Sequence, residues 1–168
     1  VSAYFTERGL AQIARGRPDR AYGDFDQAIR LDPKNATAFL NRGSLLYDRR
    51  EYDRAFQDFD QVIRTISAHD AYALHFRGLA NMAKGEYLPA IQDFTQAIRI
   101  DPKLTLAFSS RGAAYLGARD YGRAIADLDV AIKLGVAPAM SFHHRGTAYA
   151  ATGQLNRAIE DFNQALYL

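Results

Sequence analysis

Residues 38–63 read AFLNRGSLLYDRREYDRAFQDFDQVI, and the spacing of their apolar and small residues indicates the type of fold. In its first half, Phe39 stands four residues before Gly43, and in its second half Phe59 stands four residues after Ala55. A spacing of four places side chains on one face of a helix. The polar residues between the two halves break both patterns. The stretch therefore predicts two short helices joined by a turn.

The same pattern recurs along the chain with a period of about 34 residues. An Arg-Gly pair occurs five times, at steps of 34, 35, 34 and 34 residues: Arg8-Gly9, Arg42-Gly43, Arg77-Gly78, Arg111-Gly112 and Arg145-Gly146. Each glycine follows an aromatic residue or Leu by four positions: Phe5, Phe39, Leu74, Phe108 and Phe142. Alanine follows each glycine by twelve positions, and a bulky apolar residue follows by sixteen: Phe25, Phe59, Phe94, Leu128 and Phe162. The repetition predicts five pairs of an A helix and a B helix.

Small residues on both helices of a pair have a packing explanation. Glycine on the A helix and alanine on the B helix let the two axes approach closely. This approach accounts for a glycine within a helix, where it costs about 1 kcal/mol relative to alanine. Asp32-Pro33 and Asp101-Pro102 are predicted to end two of the B helices, because proline disfavours helix at the preceding residue.

By period and by the register of these residues, the sequence resembles the tetratricopeptide repeat family over residues 2–168. The resemblance implies an all-α, right-handed solenoid of helix-turn-helix repeats. The predicted units are a single array of residues 2–35, 36–70, 71–104, 105–138 and 139–168, without a C-terminal capping helix. Two departures stand out: the second unit has one extra residue and lacks Asp-Pro at Thr65-Ile66-Ser67, and the fourth ends Gly135-Val136-Ala137-Pro138.

Composition excludes several function classes. The chain has no cysteine, which rules out disulfides, thiolate metal sites and cysteine nucleophiles. Its 21 Lys and Arg nearly balance its 19 Asp and Glu, so we expect no nucleic-acid partner. No apolar run is long enough to span a membrane, so we expect no membrane insertion. The compartment is left open.

In such an array the A helices line the concave surface, and the functional residues are expected there. A helical wheel places an outward stripe opposite the packed aromatic and glycine positions, and this stripe is richest in aromatic residues in the third unit. We predict a groove for a peptide or partner segment, with these binding residues: Asn41, Tyr47, Tyr72, His75, Phe76 and Met82. The alternative is that apolar residues of the stripe only pack against the next A helix.

Some members of the family clamp a terminal carboxylate with Lys, Asn and Arg on this surface. Only Asn41 matches that pattern, because Thr6, His75 and Phe76 stand where cations would be needed. The resemblance therefore implies no carboxylate clamp in this chain.

The repeated arginines have three candidate partners. The aspartates at the repeat period suggest Arg–Asp pairs, either between the A and B helices or between neighbouring units: Asp24, Asp58, Asp93, Asp127 and Asp161. A local alternative pairs four of those aspartates with the arginine four residues earlier: Arg20, Arg54, Arg123 and Arg157. The third alternative is a row of arginines that binds a ligand.

Catalytic and metal-binding patterns are scarce. The four histidines do not form an i, i+4 ligand pair, and adjacent His143 and His144 point about 100° apart on a helix. No glycine-rich nucleotide loop or nucleophile elbow occurs. We predict a non-enzymatic protein without a cofactor or bound metal.

The last helix carries an apolar edge, with Ile159, Phe162 and Leu166 as the predicted self-association residues. We expect either that the natural chain continues beyond Leu168 or that this edge packs against another copy or a partner. Two further hypotheses follow for function: a docking or regulatory segment of a longer enzyme, and a structural module whose copies stack end to end through this edge.

Overall fold

The computed structural model describes residues 1–135 and 137–168, and over these residues it contains ten α-helices and no strand. The helices are α1 (Ser2–Ala14), α2 (Pro18–Leu31), α3 (Ala36–Asp48), α4 (Tyr52–Gln61), α5 (Ala71–Ala83), α6 (Tyr87–Ile100), α7 (Leu106–Gly117), α8 (Tyr121–Lys133), α9 (Pro138–Ala151) and α10 (Leu155–Tyr167). The predicted all-α class is confirmed. Val136, at the predicted end of the fourth unit, lies outside the described residues.

The helices form two compact units, Val1–Ala80 and Asn81–Leu168, and the division falls within α5. In the first unit α1 packs on α2, and α3 packs on α2 and α4. In the second unit α7 packs on α6 and α8, and α9 packs on α8 and α10. The A helices α3, α7 and α9 therefore each contact both the B helix that follows and the B helix that precedes.

The repeated glycine lies against the large side chain of the same pair. A Cβ atom built on Gly43 would be 2.6 Å from the ring of Phe59, and one on Gly9 would be equally close to Phe25. In the second unit the corresponding distances are 2.7 Å from Gly112 to Leu128 and 2.9 Å from Gly146 to Phe162. Contacts this short are incompatible with any side chain unless the neighbours move. The close approach of the A and B helices is the reason for this glycine.

The extra residue of the second unit is absorbed by a change of helix type. After α4 the chain continues as a π-helical segment, Val62–Ile66, in which the Ser67 amide donates to the Val62 carbonyl at 2.8 Å. A π-helix closes its hydrogen bonds over five residues instead of four, so it accommodates one inserted residue without ending the helix. Ile63 and Ile66 consequently both pack on Phe39, Val62 and Ala73.

The turn inside each helix pair contains one residue with a left-handed backbone. Glycine occupies this position in three pairs, with φ of 66° at Gly16, 80° at Gly85 and 78° at Gly153. Arg50 and Arg119 occupy it in the other two pairs, with φ of 63° and 61°. The turn geometry is thus common to all five pairs, although only three of them use the residue that adopts it without strain.

Candidate functional site

An aromatic patch, which we define as Tyr47, Tyr72 and Phe76, lies on the A helices of the first unit. Tyr72 is 55% exposed on α5. The Phe76 ring, one turn later, stacks on Phe59 with a centroid distance of 5.5 Å. Tyr47 on α3 contacts the same buried cluster as Phe76, and its ring centroid is 5.3 Å from that of Tyr52. The patch combines one exposed ring with two half-buried rings that the core holds in place.

The Tyr47 hydroxyl is in its neutral form throughout the physiological range. Burial raises the pKa of Tyr47, and the nearby Tyr52 and Asp48 raise it further. A neutral phenol both donates and accepts hydrogen bonds. Tyr47 can therefore offer a polar contact at the rim of an otherwise apolar patch.

His75 lies beneath this surface, with only 6% of its area exposed. Its ring meets Phe76 edge-on at 5.6 Å, and desolvation lowers the pKa of His75 to about 4. The outward placement from the helical wheel is therefore wrong for this residue. Thr6 and Ser109, which hold the same position in other repeats, are also buried. His75 is an uncharged support of the patch at neutral pH.

The other two predicted groove residues are placed differently. Asn41 is half-buried on α3, and its amide donates to the Thr37 carbonyl of the same helix at 2.8 Å. Met82 is half-buried and belongs to the second unit. The first unit thus packs Tyr47 and Phe76 on one buried cluster, and Tyr72 lies one helical turn before Phe76 on α5.

The repeated arginines bind the repeated aspartates. Arg42 donates to Asp58 of its own pair at 2.7 and 2.9 Å and to Asp26 of the preceding B helix at 2.8 Å. Arg145 makes the same two contacts, to Asp161 at 2.7 and 2.8 Å and to Asp129 at 2.5 Å. Each guanidinium therefore connects two consecutive B helices.

Arg77 and Arg111 make related bonds, and we call this series of contacts between repeated arginines and B helices the arginine ladder. Arg77 donates to Asp60 of the preceding B helix at 2.7 Å. Arg111 binds Asp127 of its own pair at 2.6 and 2.8 Å, but on the preceding B helix it meets the Thr95 hydroxyl at 3.2 Å. The side-chain hydrogen bond to Asp127 raises the pKa of Arg111, and bonds of the same kind raise the pKa of Arg42 and Arg145. The arginines serve the joints between repeats.

The local pairing alternative is wrong for three of its four arginines. Arg54 binds Glu51 and the Tyr22 hydroxyl, Arg123 binds Asp120, and Arg157 binds Gln154. All three contacts lie near the start of a B helix. The buried Asp58, Asp127 and Asp161 bind the repeated arginines instead.

The apolar edge of the last pair is part of a larger surface. Ile159 is 58% and Leu166 is 84% exposed, while Phe162 is half-buried. A groove of about 640 Å³ lies between α9 and α10 and is lined by Ala139, Met140, His143, His144, Phe162, Ala165 and Leu166. The α9 side of this groove was not predicted from the sequence. The signal was available, since Met140 and His143 precede Gly146 by six and three residues, as Tyr72 and His75 precede Gly78.

Two other site classes receive no support from the described residues. None of the described helices has the length and apolar character that a membrane crossing requires. Within residues 1–135 and 137–168, no three His, Asp or Glu side chains group as metal ligands would.

Comparison with known proteins identifies the family. Tetratricopeptide repeat models match residues 6–71, residues 71–104 and residues 141–168. The chain belongs to the tetratricopeptide repeat family. A comparison with curated protein sequences finds no match.

Solved structures share the fold at low sequence identity. MamA from Desulfovibrio magneticus RS-1 matches with a TM-score of 0.86 and 20% identity over 99% of this chain and 94% of its own. Cut9, from the APC/C hetero-tetramer Cut9-Hcn1, matches with a TM-score of 0.86 and 18% identity over 99% of this chain and 33% of its own. YrrB, described as a TPR protein with an unusual peptide-binding site, matches with a TM-score of 0.76 and 18% identity over 96% and 83%.

These matches confirm the predicted tetratricopeptide fold. Proteins of this family are generally non-catalytic scaffolds for protein interactions, and membership supports the same general role for this chain.

Proposed function

We propose that this chain is a non-catalytic scaffold whose single five-repeat array binds a peptide or partner segment along its A-helix groove. The observation that carries the proposal is the aromatic patch of Tyr47, Tyr72 and Phe76. We place the main contacts there, with Asn41 at its edge, His75 beneath it and Met82 farther along the array.

A side chain that is already held in place loses little conformational entropy when a partner binds. Aromatic residues contribute much of the free energy of many protein interfaces, especially when neighbouring side chains already hold them in place. Phe76 is fixed by stacking on Phe59, and Tyr47 is fixed against Tyr52. Because these rings lose little freedom on binding, most of the gain from burying them is retained.

Two structural relatives illustrate such use of the fold. YrrB is described as having a peptide-binding site, and Cut9 is found in a hetero-tetramer with Hcn1. We extend to this chain only the general capacity to hold another polypeptide.

The test begins with capture of partners from a native lysate on the immobilised 168-residue chain. The partner is then purified and its affinity measured by calorimetry for the wild-type chain and for Tyr72→Ala. We expect Tyr72→Ala to weaken binding at least tenfold. Leu88→Ala is the matched control, because Leu88 is an exposed apolar residue of a B helix and its removal should leave the affinity unchanged.

Circular dichroism must show that both variants are folded. The same affinity is then measured for the other A-helix variants: Asn41→Ala, Tyr47→Ala, Phe76→Ala and Met82→Ala. If Tyr72→Ala and all four of these variants bind the partner as tightly as the wild type does, the partner does not bind in the groove.

A further inference from the structure

The turns inside the first two helix pairs lie side by side and are rich in arginine. Residues 15–20 read RGRPDR and residues 49–54 read RREYDR, with six exposed arginines against three acidic residues. Arg49 of the second segment binds Asp19 of the first, and its guanidinium lies 5.0 Å from the Tyr22 ring. We call the two joined segments the arginine edge. Its formal charge is +3, whereas that of the whole chain is +2.

In the first helix pair, an arginine replaces a residue that accepts a hydrogen bond elsewhere. At the start of three B helices, the residue before the helix accepts a bond from the arginine three residues later: Glu51 from Arg54, Asp120 from Arg123 and Gln154 from Arg157. The corresponding residues of α2 are Arg17 and Arg20, which repel each other. Within the described part of the chain neither makes an ion pair, and Asp19 between them binds Arg49.

Arg50 is held on the same edge at a conformational cost. Its backbone is left-handed, with φ of 63°, where three of the other turns have glycine. Its side chain is exposed and bonds no other side chain of the described residues. Stability alone would favour glycine at this position. A strained residue of this kind is found where its side chain has a function, and Arg50 adds a third cation without an ion-pair partner to Arg17 and Arg20.

Arg119 provides an internal comparison, because it has the same left-handed conformation in the second unit. The cations near it in sequence and in the adjoining turn are neutralised: Arg123 binds Asp120 at 2.6 Å, and Lys84 binds Glu86 at 3.1 Å. The strained arginine is thus combined with further unneutralised arginines on the edge of the first unit, whereas Arg119 lacks such neighbours in its own turn.

The chemistry of the arginine edge favours carboxylates as its ligands. A guanidinium is a planar fork that binds a carboxylate through two parallel hydrogen bonds. The edge also contains Asp19, Glu51 and Asp53, which would repel a continuous polyphosphate, whereas the carboxylates of a polypeptide can be spaced to avoid them. No large apolar side chain is exposed in residues 15–20 or 49–54, so the edge offers nothing to insert into a lipid surface.

We propose that the arginine edge binds an acidic segment of a partner polypeptide, whose Asp or Glu side chains pair with Arg17, Arg20 and Arg50. The edge consists of turns and the first residues of B helices, so it is distinct from the A-helix groove. Binding at either surface does not depend on binding at the other.

The test uses a fluorescently labelled peptide of alternating glutamate and serine, with a peptide of alternating glutamine and serine as its neutral counterpart. Fluorescence anisotropy with the 168-residue chain measures both affinities. We expect only the glutamate peptide to bind. Arg17→Gln and Arg50→Gly should each weaken its binding about threefold to tenfold, because each removes one guanidinium that pairs with a carboxylate.

Arg119→Gly is the matched control, since it makes the same change of charge and relieves the same backbone strain as Arg50→Gly. It should leave the affinity unchanged. Urea denaturation should show Arg50→Gly to be at least as stable as the wild type, so that its weaker binding cannot result from unfolding.

Three results would overturn the proposal. The glutamate peptide does not bind, or it binds Arg17→Gln and Arg50→Gly as tightly as the wild type, or Arg119→Gly loses as much affinity as Arg50→Gly. A single-stranded oligonucleotide and vesicles containing phosphatidylserine are tested in parallel. Tighter binding of either than of the glutamate peptide, weakened by Arg50→Gly, would assign the edge to nucleic acid or to a membrane surface instead.

Discussion

Arg50 and Arg119 hold a left-handed backbone conformation that glycine adopts in the other three turns. A side chain in this conformation costs about 1 kcal/mol. We therefore expect Arg50→Gly and Arg119→Gly each to raise the free energy of unfolding by about 0.5–1 kcal/mol, measured by urea denaturation.

The control for this prediction is the same substitution in ordinary helical backbone. Arg99 lies near the end of α6 with an exposed side chain. Arg99→Gly should lower the free energy of unfolding by about 0.5–1 kcal/mol, because glycine is a poor helix former. If both kinds of substitution destabilised the protein, the strain assigned to the turns would be incorrect.

The buried His75 makes stability depend on pH. Its pKa falls from 6.5 to about 4 on folding, so the unfolded chain binds the proton more tightly. Stability should be at its full value above pH 6.5 and should be lost progressively as the pH falls toward 4, by roughly 2–3 kcal/mol. Urea denaturation at a series of pH values measures this loss.

Two variants separate His75 from the other titrating groups. His75→Gln should reduce the pH dependence between 6.5 and 4, and part of the remainder should come from His144, whose pKa is also lowered by burial. His69→Gln changes an exposed histidine and should preserve it. Parallel pH profiles for wild type and His75→Gln would show that another group is responsible.

The burial of His75 also shows where residue-level prediction fails. A helical wheel assigns a side chain to the inside or outside of one helix, and it gave His75 the outside. In a stacked array, part of each outward face is covered by the next helix, as the Ser109–Ser141 contact shows. The exposure of such a residue depends on the neighbouring helices, which a helical wheel of a single helix does not include.

Within the helices, two glycines should respond in opposite directions to the same substitution. Gly43→Ala would place a methyl group 2.6 Å from Phe59, whereas nothing lies within 4 Å of the corresponding atom on Gly23. We expect Gly43→Ala to destabilise the protein by about 1–3 kcal/mol and Gly23→Ala to stabilise it by about 0.5–1 kcal/mol. Thermal and urea denaturation of the two variants provide the measurement, and similar effects would exclude close packing as the reason for the repeated glycine.

The π-helical segment should tolerate the loss of its extra residue. Thr65 occupies a position that is Leu31, Ile100 or Leu134 in other repeats, and Ile66 follows it one residue late. Deletion of Thr65 should return Ile66 to the usual position and leave a folded protein. Deletion of Thr95 from the middle of α6 should abolish cooperative unfolding, because it rotates every later side chain of that helix. Circular dichroism with urea titration distinguishes the outcomes.

The helices themselves were predictable from the sequence, because the spacing of Phe39, Gly43, Ala55 and Phe59 is both periodic and repeated. The π-helical segment was not predictable. A step of 35 instead of 34 residues shows that one residue has been inserted, but not whether a loop or a helix absorbs it. The packing of Ile63 and Ile66 on one core decides in favour of the helix.

Over the whole molecule, the arginine ladder couples each repeat to the next. Arg42→Met would leave Asp58, a buried carboxylate, without its cation. We expect a loss of about 2–3 kcal/mol in the free energy of unfolding. Arg8→Met should cost less, because the side chain of Arg8 is 45% exposed and that of Arg42 is 17% exposed. Equal losses for the two variants, measured by urea denaturation, would argue against coupling through the ladder.

The existence of this ladder was predictable from the repeated Arg and Asp positions. Its connectivity was not, since three sets of partners fitted the same spacing. Only the three-dimensional arrangement shows that Arg42 reaches both Asp58 and Asp26. The aromatic patch was also only partly predictable. Tyr47, Tyr72 and Phe76 were predicted from the sequence, but the stacking of Phe76 on Phe59, which holds the Phe76 ring in place, was not.

The hydroxyl of Thr95 makes the joint between the third and fourth repeats weaker than the other joints. At the other three joints the arginine meets a carboxylate, whereas Arg111 meets a neutral acceptor at the longest of the four distances. In a linear array of coupled repeats, a weak joint allows the repeats on one side of it to unfold while the repeats on the other side stay folded. The amide hydrogens of residues 106–167 should therefore exchange with deuterium as one block that has its own opening free energy. In Thr95→Asp, this block and the residues before it should exchange with the same opening free energy.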